Sequence, residues 1–546
     1  MSLHRIKVLF LLFLFIPILA HCQELEGLID NLLNDKYPES GRGAVALVAK
    51  GDQIIYHKAF GKANLELDVP MRTEMVFRIA SISKQFTAIA ILMLMEEKKL
   101  KLEDTITKYM PDYPKGPEPI TIQHLLTHTS GISRSITQNP WNADIRKHHF
   151  EVSDFIDYFK NEPKAFTPGE FFQYNNFGYV ILGHIIEKVS GISYGQFIEQ
   201  RIFQPLGMTN SRQANDADVI KNRAYGYEKK ENYIVKEYVN SSMAIGAGSL
   251  LSTTKDLYIW NRALLNEELV KKETLNLAFK NHSLPSGRKT NYGFGWFIND
   301  INGSPSLEHA GGDHGFRADG IYLPEEDVFV AILSNCSCGE PRPISTKIAA
   351  LAIDKPYKSP NLVKVDSEKI YKWVGKYKFE DGRIRNVILK DEKLYWVISK
   401  EIQLLMNATS ESSYVLENGL TKIQFELFND STIHVEVKNR ISIRRASKPY
   451  TQRKEISLQE EVMSKYVGQY QITPDFAINV SLENGYLVAT GPDQESMTIY
   501  PESNARFFFK AIDGQIEFIS DKNGETNALE ITQNGVKYSG SRLADK

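Results

Sequence analysis

Ser81-Ile82-Ser83-Lys84 leads through Gln85 into Phe86 to Met95, FTAIAILMLM, where Thr87 is the sole polar interruption. A stretch with apolar residues on every side reads as a helix buried all round. It ends at Glu96-Glu97-Lys98-Lys99, where the chain regains solvent. The S-x-x-K spacing places Lys84 one helical turn after Ser81 and on the same face, so the amine can reach the hydroxyl. Burial disfavours an ammonium and lowers its pKa, and a helix N-terminus favours a developing anion. Together these turn a serine hydroxyl into a nucleophile. The same spacing recurs at Ser252-Thr253-Thr254-Lys255 and Ser286-Gly287-Arg288-Lys289, but only the first leads into a buried helix. The competing explanation for Ser81 is an ordinary helix cap followed by an exposed lysine.

Outward from this helix, the chain alternates between α and β patterns. On its N-terminal side Ala44 to Ala49 and Gln53 to Phe60 form a hairpin turned by Lys50-Gly51-Asp52. On its C-terminal side helical patterns appear at Ile122 to Leu126, Gly178 to Val189 and Ile344 to Ile353, and strands at Gly293 to Phe297 and Val328 to Leu333. Mixed elements over this length predict one large α/β-type domain.

Two further clusters carry chemistry. Tyr174-Asn175-Asn176 follows the turn Thr167-Pro168-Gly169-Glu170 and precedes a helix. A phenol beside a lysine can relay a proton, and an amide can hold lysine or substrate. Tyr238-Val239-Asn240 has the same spacing without the turn or the helix and is set aside. In His309-Ala310-Gly311-Gly312 the glycines let a substrate lie along a strand edge, with the N–H groups of Gly312 and Ser81 as an oxyanion hole. A glycine-rich turn with an incidental histidine is the alternative. Leu125 to Gly131, which contains His128 and Ser130, reads as a structural helix end closed by Gly131.

After Lys355-Pro356-Tyr357-Lys358-Ser359-Pro360, a linker, the pattern becomes short alternating strands, and it repeats. Trp373-Val374-Gly375-Lys376-Tyr377 returns as Tyr466-Val467-Gly468-Gln469-Tyr470 at an offset of 93 residues. Asn386-Val387, Leu389, Leu394, Ile423 and Phe425 find Asn479-Val480, Leu482, Leu487, Ile516 and Phe518 at the same offset. Two copies of a small all-β module follow, antiparallel barrels joined by a basic linker from Arg444 to Lys454.

The chain has 546 residues, a net charge of −2, 42% hydrophobic and 24% charged residues, which excludes disorder and gives no electrostatic footprint for nucleic acid. His4, Arg5 and Lys7, the apolar run Val8 to Leu19 and Ala20-His21-Cys22 read as a signal peptide cut before Gln23, with a lipoprotein anchored at Cys22 as the rival. Domains are therefore placed at 1–22 (signal peptide), 23–355 (the large α/β-type domain), 356–450 and 451–546 (the two barrels). The protein is expected to be exported, periplasmic or extracellular, without a transmembrane anchor in the mature chain. No metal site or cofactor is expected, and no oligomeric state is legible. Cys336 and Cys338, one residue apart, are expected to be packed or free thiols.

The order S-x-x-K, Y-x-N, H-x-G resembles the serine β-lactamase and penicillin-binding-protein superfamily, in particular the branch of class C β-lactamases, D,D-carboxypeptidases, esterases and D-aminopeptidases. The resemblance runs from about Gly41 to Asp354 and includes Gly246-Ala247-Gly248-Ser249-Leu250-Leu251-Ser252-Thr253. It implies a β-lactamase-like α/β (α+β) domain, an antiparallel sheet flanked by helices with an all-helical lobe, ahead of the two barrels. It also implies that Ser81 attacks an acyl carbon, Lys84 and Tyr174 share base and acid roles, and Asn176 orients Lys84 and substrate. His309 stands where many members have the lysine of K-T-G, and with Gly311 it would contact substrate. A histidine mostly neutral at pH 7 favours peptide, amide or ester hydrolysis over β-lactams. H-x-G and C-terminal barrels are similar to D-aminopeptidases. The expected partner is a small-molecule or peptide substrate; β-lactamase or D,D-carboxypeptidase activity, or a binding protein that keeps the fold, are the alternatives.

Overall fold

A computed structural model describes residues 23–543 except 134–146, 216, 230–231, 236–238, 340, 380–382, 399–402, 441, 450, 452, 493–495 and 534–535. The signal-peptide reading of 1–22, Cys22 included, and Tyr238 lie outside the described residues. Two compact units divide the chain, one ending at Tyr357 and the other running from Lys358 to Lys546.

The first unit is built on a six-stranded antiparallel sheet. Its strands are β1 (Ala44–Lys50), β2 (Gln53–Phe60), β3 (Phe297–Ile301), β4 (Ser304–Asp313), β5 (Phe316–Leu323) and β6 (Val328–Ser334), in spatial order β3-β4-β5-β6-β1-β2. β1 is apolar from Ala44 to Ala49 because both of its faces are covered there, and only Lys50 at its end is exposed. Ala44, Ala46 and Val48 pack with Ile29, Leu33 and Ile348, whereas Val45, Leu47 and Ala49 join the core that holds Phe86 and Ile89. The helices needed here are α1 (Ser83–Glu96), α2 (Ile122–Leu126), α3 (Asn176–Ser190), α4 (Thr254–Leu265) and α5 (Arg342–Ala352). Ser83 to Leu94 of α1 are all buried, so the sequence could place no polar stripe on it. Among the described residues no helix is long and apolar enough to cross a membrane.

Three expectations are corrected. Of the expected strand Gly293 to Phe297, Gly293 to Trp296 is a loop, and the strand starts at Phe297. A Cβ on Gly293 would sit 1.9 Å from the Ala278 carbonyl oxygen, and Gly295 has φ +86° against the Lys84 backbone, so these glycines serve close approach. The basic run from Arg444 is no linker as far as Pro449, because Ser442–Pro449 is a barrel strand whose arginines point outward. Finally, Cys336 and Cys338 form a disulfide: the bend at Ser337 leaves their Cα atoms 5.2 Å apart, inside the usual span.

The second unit contains two closed antiparallel barrels of eight strands each, over Gly375–Pro449 and Gly468–Arg542. Their interiors are packed with side chains, and the repeated motif explains how each barrel closes. Trp373 stacks on Phe425 at 5.0 Å, and Tyr466 on Phe518 at 4.4 Å. Tyr377 donates to the Trp373 carbonyl at 2.7 Å, and Tyr470 to the Tyr466 carbonyl at 2.9 Å. On the last strand of each barrel a cation reaches back: Lys448 donates to the Val374 carbonyl, and Arg542 to the Val467 carbonyl. Gly375 and Gly468 make room, since a Cβ on either would come within 2.9 Å of Lys448 Nζ or 2.8 Å of Arg542 Nε.

Candidate active site

Ser81 lies in a single 3-10 turn, Ala80–Ile82, that feeds α1. The residue before it, Ala80, has φ +45°, a left-handed conformation costly for a side chain with a Cβ and held in place by its surroundings. Lys84 is 0% exposed. Its Nζ lies 3.1 Å from Ser81 Oγ, 2.9 Å from Asn176 Oδ1 and 2.7 Å from the Ala247 carbonyl oxygen. Burial holds the Lys84 pKa well below its ordinary range. A neutral amine has two N–H groups and one lone pair. The amide and carbonyl oxygens only accept and so take the two N–H groups, which leaves the lone pair for the Ser81 hydroxyl to donate to. The arrangement sets the Ser81 hydroxyl against the lone pair of a neutral amine whose N–H groups are both taken.

The Y-x-N segment contributes through the start of α3. Asn175 is the cap, accepting from the Phe177 N–H at 2.9 Å, and Asn176, the first helical residue, points its Oδ1 at the lysine. The Tyr174 ring centroid lies 4.9 Å from Lys84 Nζ. His128, buried and left-handed at φ +57°, supports this segment from Leu125–Gly131. Its ring lies 4.3 Å from the Tyr174 ring, and its Nδ1 accepts from the Asn175 N–H at 3.2 Å. Gly131 does not itself end α2, which stops at Leu126; its φ is +72°, and a Cβ there would sit 2.0 Å from the Phe166 carbonyl oxygen.

His309 is 1% exposed on β4, and both of its ring nitrogens are engaged. Nδ1 lies 2.7 Å from the Ala310 carbonyl oxygen, which only accepts, so that nitrogen carries the proton. Nε2 then accepts from the Tyr292 hydroxyl at 3.1 Å. Burial pushes the His309 pKa well below its ordinary value, so the ring is neutral. β3 covers β4 only from Ser304 to Glu308. Beyond it, Ala310 to His314 line an open cleft of about 550 Å³ with Glu228 and Arg317. Asp313 is held there by Arg78 at 3.1 Å, and His314 faces Glu228 at 3.2 Å. Gly311 meets the start of the turn that carries Ser81, because a Cβ on it would lie 2.2 Å from the Ile79 carbonyl oxygen. A Cβ on Gly312 would meet the Arg317 side chain first, at 3.3 Å.

The decoys lie elsewhere. Ser252 Oγ is bonded to Ser211 Oγ and Thr253 caps α4, while Ser286 sits on an exposed turn. Sequence reasoning missed Ala247, Tyr292 and the supporting role of His128. Gly246-Ala247-Gly248 was a recognisable phrase, but a carbonyl acceptor leaves no mark in residue type.

A serine, a buried lysine and an amide around one amine, set between an antiparallel sheet and a helical lobe, define a serine hydrolase of the acyl-transfer kind. The chain belongs to the Beta-lactamase family, whose sequence profile matches residues 33–354. A second profile, Domain of unknown function (DUF3471), matches residues 452–542, the second barrel. The chain is similar to Penicillin-binding protein 4* of Bacillus subtilis, 30% identical over 424 residues, 73% of this chain and 92% of that protein. Among solved structures it is similar to the octameric penicillin-binding protein homologue from Pyrococcus abyssi, with TM-score 0.57 and 27% identity over 78% of this chain and 99% of that one. It is also similar to the D-stereospecific amidohydrolase from Streptomyces sp., with TM-score 0.51 and 25% identity over 58% and 97% of the two chains.

Proposed function

We propose that the protein is an exported hydrolase that forms an acyl-enzyme on Ser81 and cleaves amide, peptide or ester bonds of small substrates, with D-amino-acid amides and peptides as the main class. The observation that carries this reading is the Lys84 amine, buried and bonded by Asn176 and Ala247 so that its lone pair meets Ser81. Lys84 takes the Ser81 proton as Oγ attacks the carbonyl carbon. The oxyanion collects on the N–H groups of Ser81 and Gly312. The proton passes, with Tyr174 beside the amine, to the leaving nitrogen or oxygen, and water then releases the acyl group by the same steps. D-stereospecificity rests on the likeness to the Streptomyces amidohydrolase.

A substrate carboxylate finds no cation at His309, whose ring is neutral with both nitrogens engaged. This argues against efficient β-lactam or D,D-carboxypeptidase turnover. The test is the rate on D-alanine p-nitroanilide, its L-enantiomer, a p-nitrophenyl ester and nitrocefin, for wild type and Ser81→Ala. Turnover of the D-anilide or the ester that vanishes in Ser81→Ala is expected. Nitrocefin as the preferred substrate would replace this reading with a β-lactamase, and no Ser81-dependent turnover of any of the four would contradict it.

A further inference from the structure

The second unit holds a cavity that the Ser81 chemistry does not use. It opens between the two barrels and measures about 340 Å³. The barrels are joined around it. The Leu389 N–H donates to the Ala511 carbonyl at 3.1 Å, and Lys510 of the second barrel bonds Glu368 at 2.5 Å and Glu455 at 2.8 Å. Lys372, Lys376, Lys448 and Arg453 line the cavity against one carboxylate, Asp513. Arg453 is partly offset by Glu502 at 3.6 Å. Lys448 is 6% exposed, and among the described residues it has a carbonyl partner but no ion-pair partner. Phe509 and Ile512 supply an apolar wall.

The repeat shows that this is more than barrel closure. In the second barrel the closing cation is Arg542, bonded to three carbonyls of its own module, those of Val467, Lys465 and Thr526. Lys448 makes one such bond and also lines the cavity. At the position of Lys376 the second barrel carries Gln469, so that cation too belongs to this cavity alone. An excess of positive charge beside aromatic and aliphatic side chains matches a ligand with an anionic head and an apolar body.

We propose that the cavity between the barrels binds a small organic anion, a carboxylate or phosphate monoester carrying an apolar or aromatic body. The site is independent of the hydrolase reading, because its ligand need not be a substrate. Isothermal titration calorimetry of the full-length protein with 3-phenylpropionate and with phenyl phosphate tests it, beside the neutral 3-phenylpropanol. Saturable binding of at least one anion is expected, weakened roughly tenfold or more in Lys376→Gln and in Lys448→Gln and unchanged in Ser81→Ala. The stronger of the two anions assigns the head group. Lys376→Gln copies the residue the second barrel already tolerates, so it keeps the test decisive if Lys448→Gln does not fold. No binding of either anion, equal binding of the alcohol, or anion binding that folded Lys376→Gln leaves untouched would overturn the proposal.

Discussion

Lys84 and Lys448 are both buried lysines, one in each unit, and burial lowers the pKa of both. They differ in what surrounds the amine. Lys84 has two acceptor oxygens and a serine hydroxyl within 3.1 Å, so each N–H and the lone pair have an assigned partner. Lys448 has one carbonyl, the Tyr377 ring at 5.8 Å and a cavity shared with other cations. A depressed pKa therefore does not make a base of a lysine. A base also needs a hydroxyl in reach of its lone pair, and among the described residues Lys84 has Ser81 Oγ at 3.1 Å while Lys448 has a carbonyl.

The largest effect should come from breaking the Lys84 arrangement. Lys84→Met is expected to lower kcat/KM roughly a thousandfold or more while the protein stays folded, and Lys448→Met should leave turnover unchanged. In wild type, kcat/KM should fall as pH is lowered through the Lys84 pKa, because only the neutral amine accepts the serine proton.

Lys448 should instead show itself in stability. Its pKa drops from 10.5 to about 8 on folding, which corresponds to about 3 kcal/mol. Between those values the unfolded chain holds a proton that the folded one has released, so stability rises with pH across that window. Denaturant unfolding is expected to show a steeper rise across this window in wild type than in Lys448→Arg, because the other buried lysines contribute equally to both. The arginine, like Arg542 in the second barrel, does not titrate.

Gly311→Ala sharpens the comparison from the side of the site. A Cβ 2.2 Å from the Ile79 carbonyl displaces the turn that carries Ser81, with about a hundredfold loss in kcat/KM expected. Gly312→Ala, facing a flexible arginine, should cost far less. The smallest effects belong to the paired tyrosines. Tyr377→Phe and Tyr470→Phe each remove one hydroxyl-to-carbonyl bond, and thermal denaturation should show about 1 kcal/mol lost in each case.

Much of this was legible where side chains repeat or where one face is buried. The buried helix, the hairpin and the 93-residue repeat lead to the observed layers and barrels, because hydrophobic period and spacing are written in residue type. The Gly293 loop and the strand within the basic run were misread. Glycines that admit a neighbouring backbone look like any others, and outward arginines hide the inward Ala446 and Lys448. At the site, Ser81, Lys84 and Asn176 could be singled out by type and spacing. The Ala247 carbonyl and the Tyr292 hydroxyl on His309 could not, since they come from contacts between segments distant in sequence. The disulfide turns on a bend at Ser337 that spacing alone does not reveal.

The central claim is that Ser81 is a nucleophile activated by Lys84. Intact-mass spectrometry after incubation with a fluorophosphonate tests it most directly, on wild type, Ser81→Ala and Lys84→Met. The account predicts one adduct on wild type, none on Ser81→Ala and sharply slowed labelling of Lys84→Met. Equal labelling of wild type and Ser81→Ala, or no adduct on a folded wild-type sample, would contradict it.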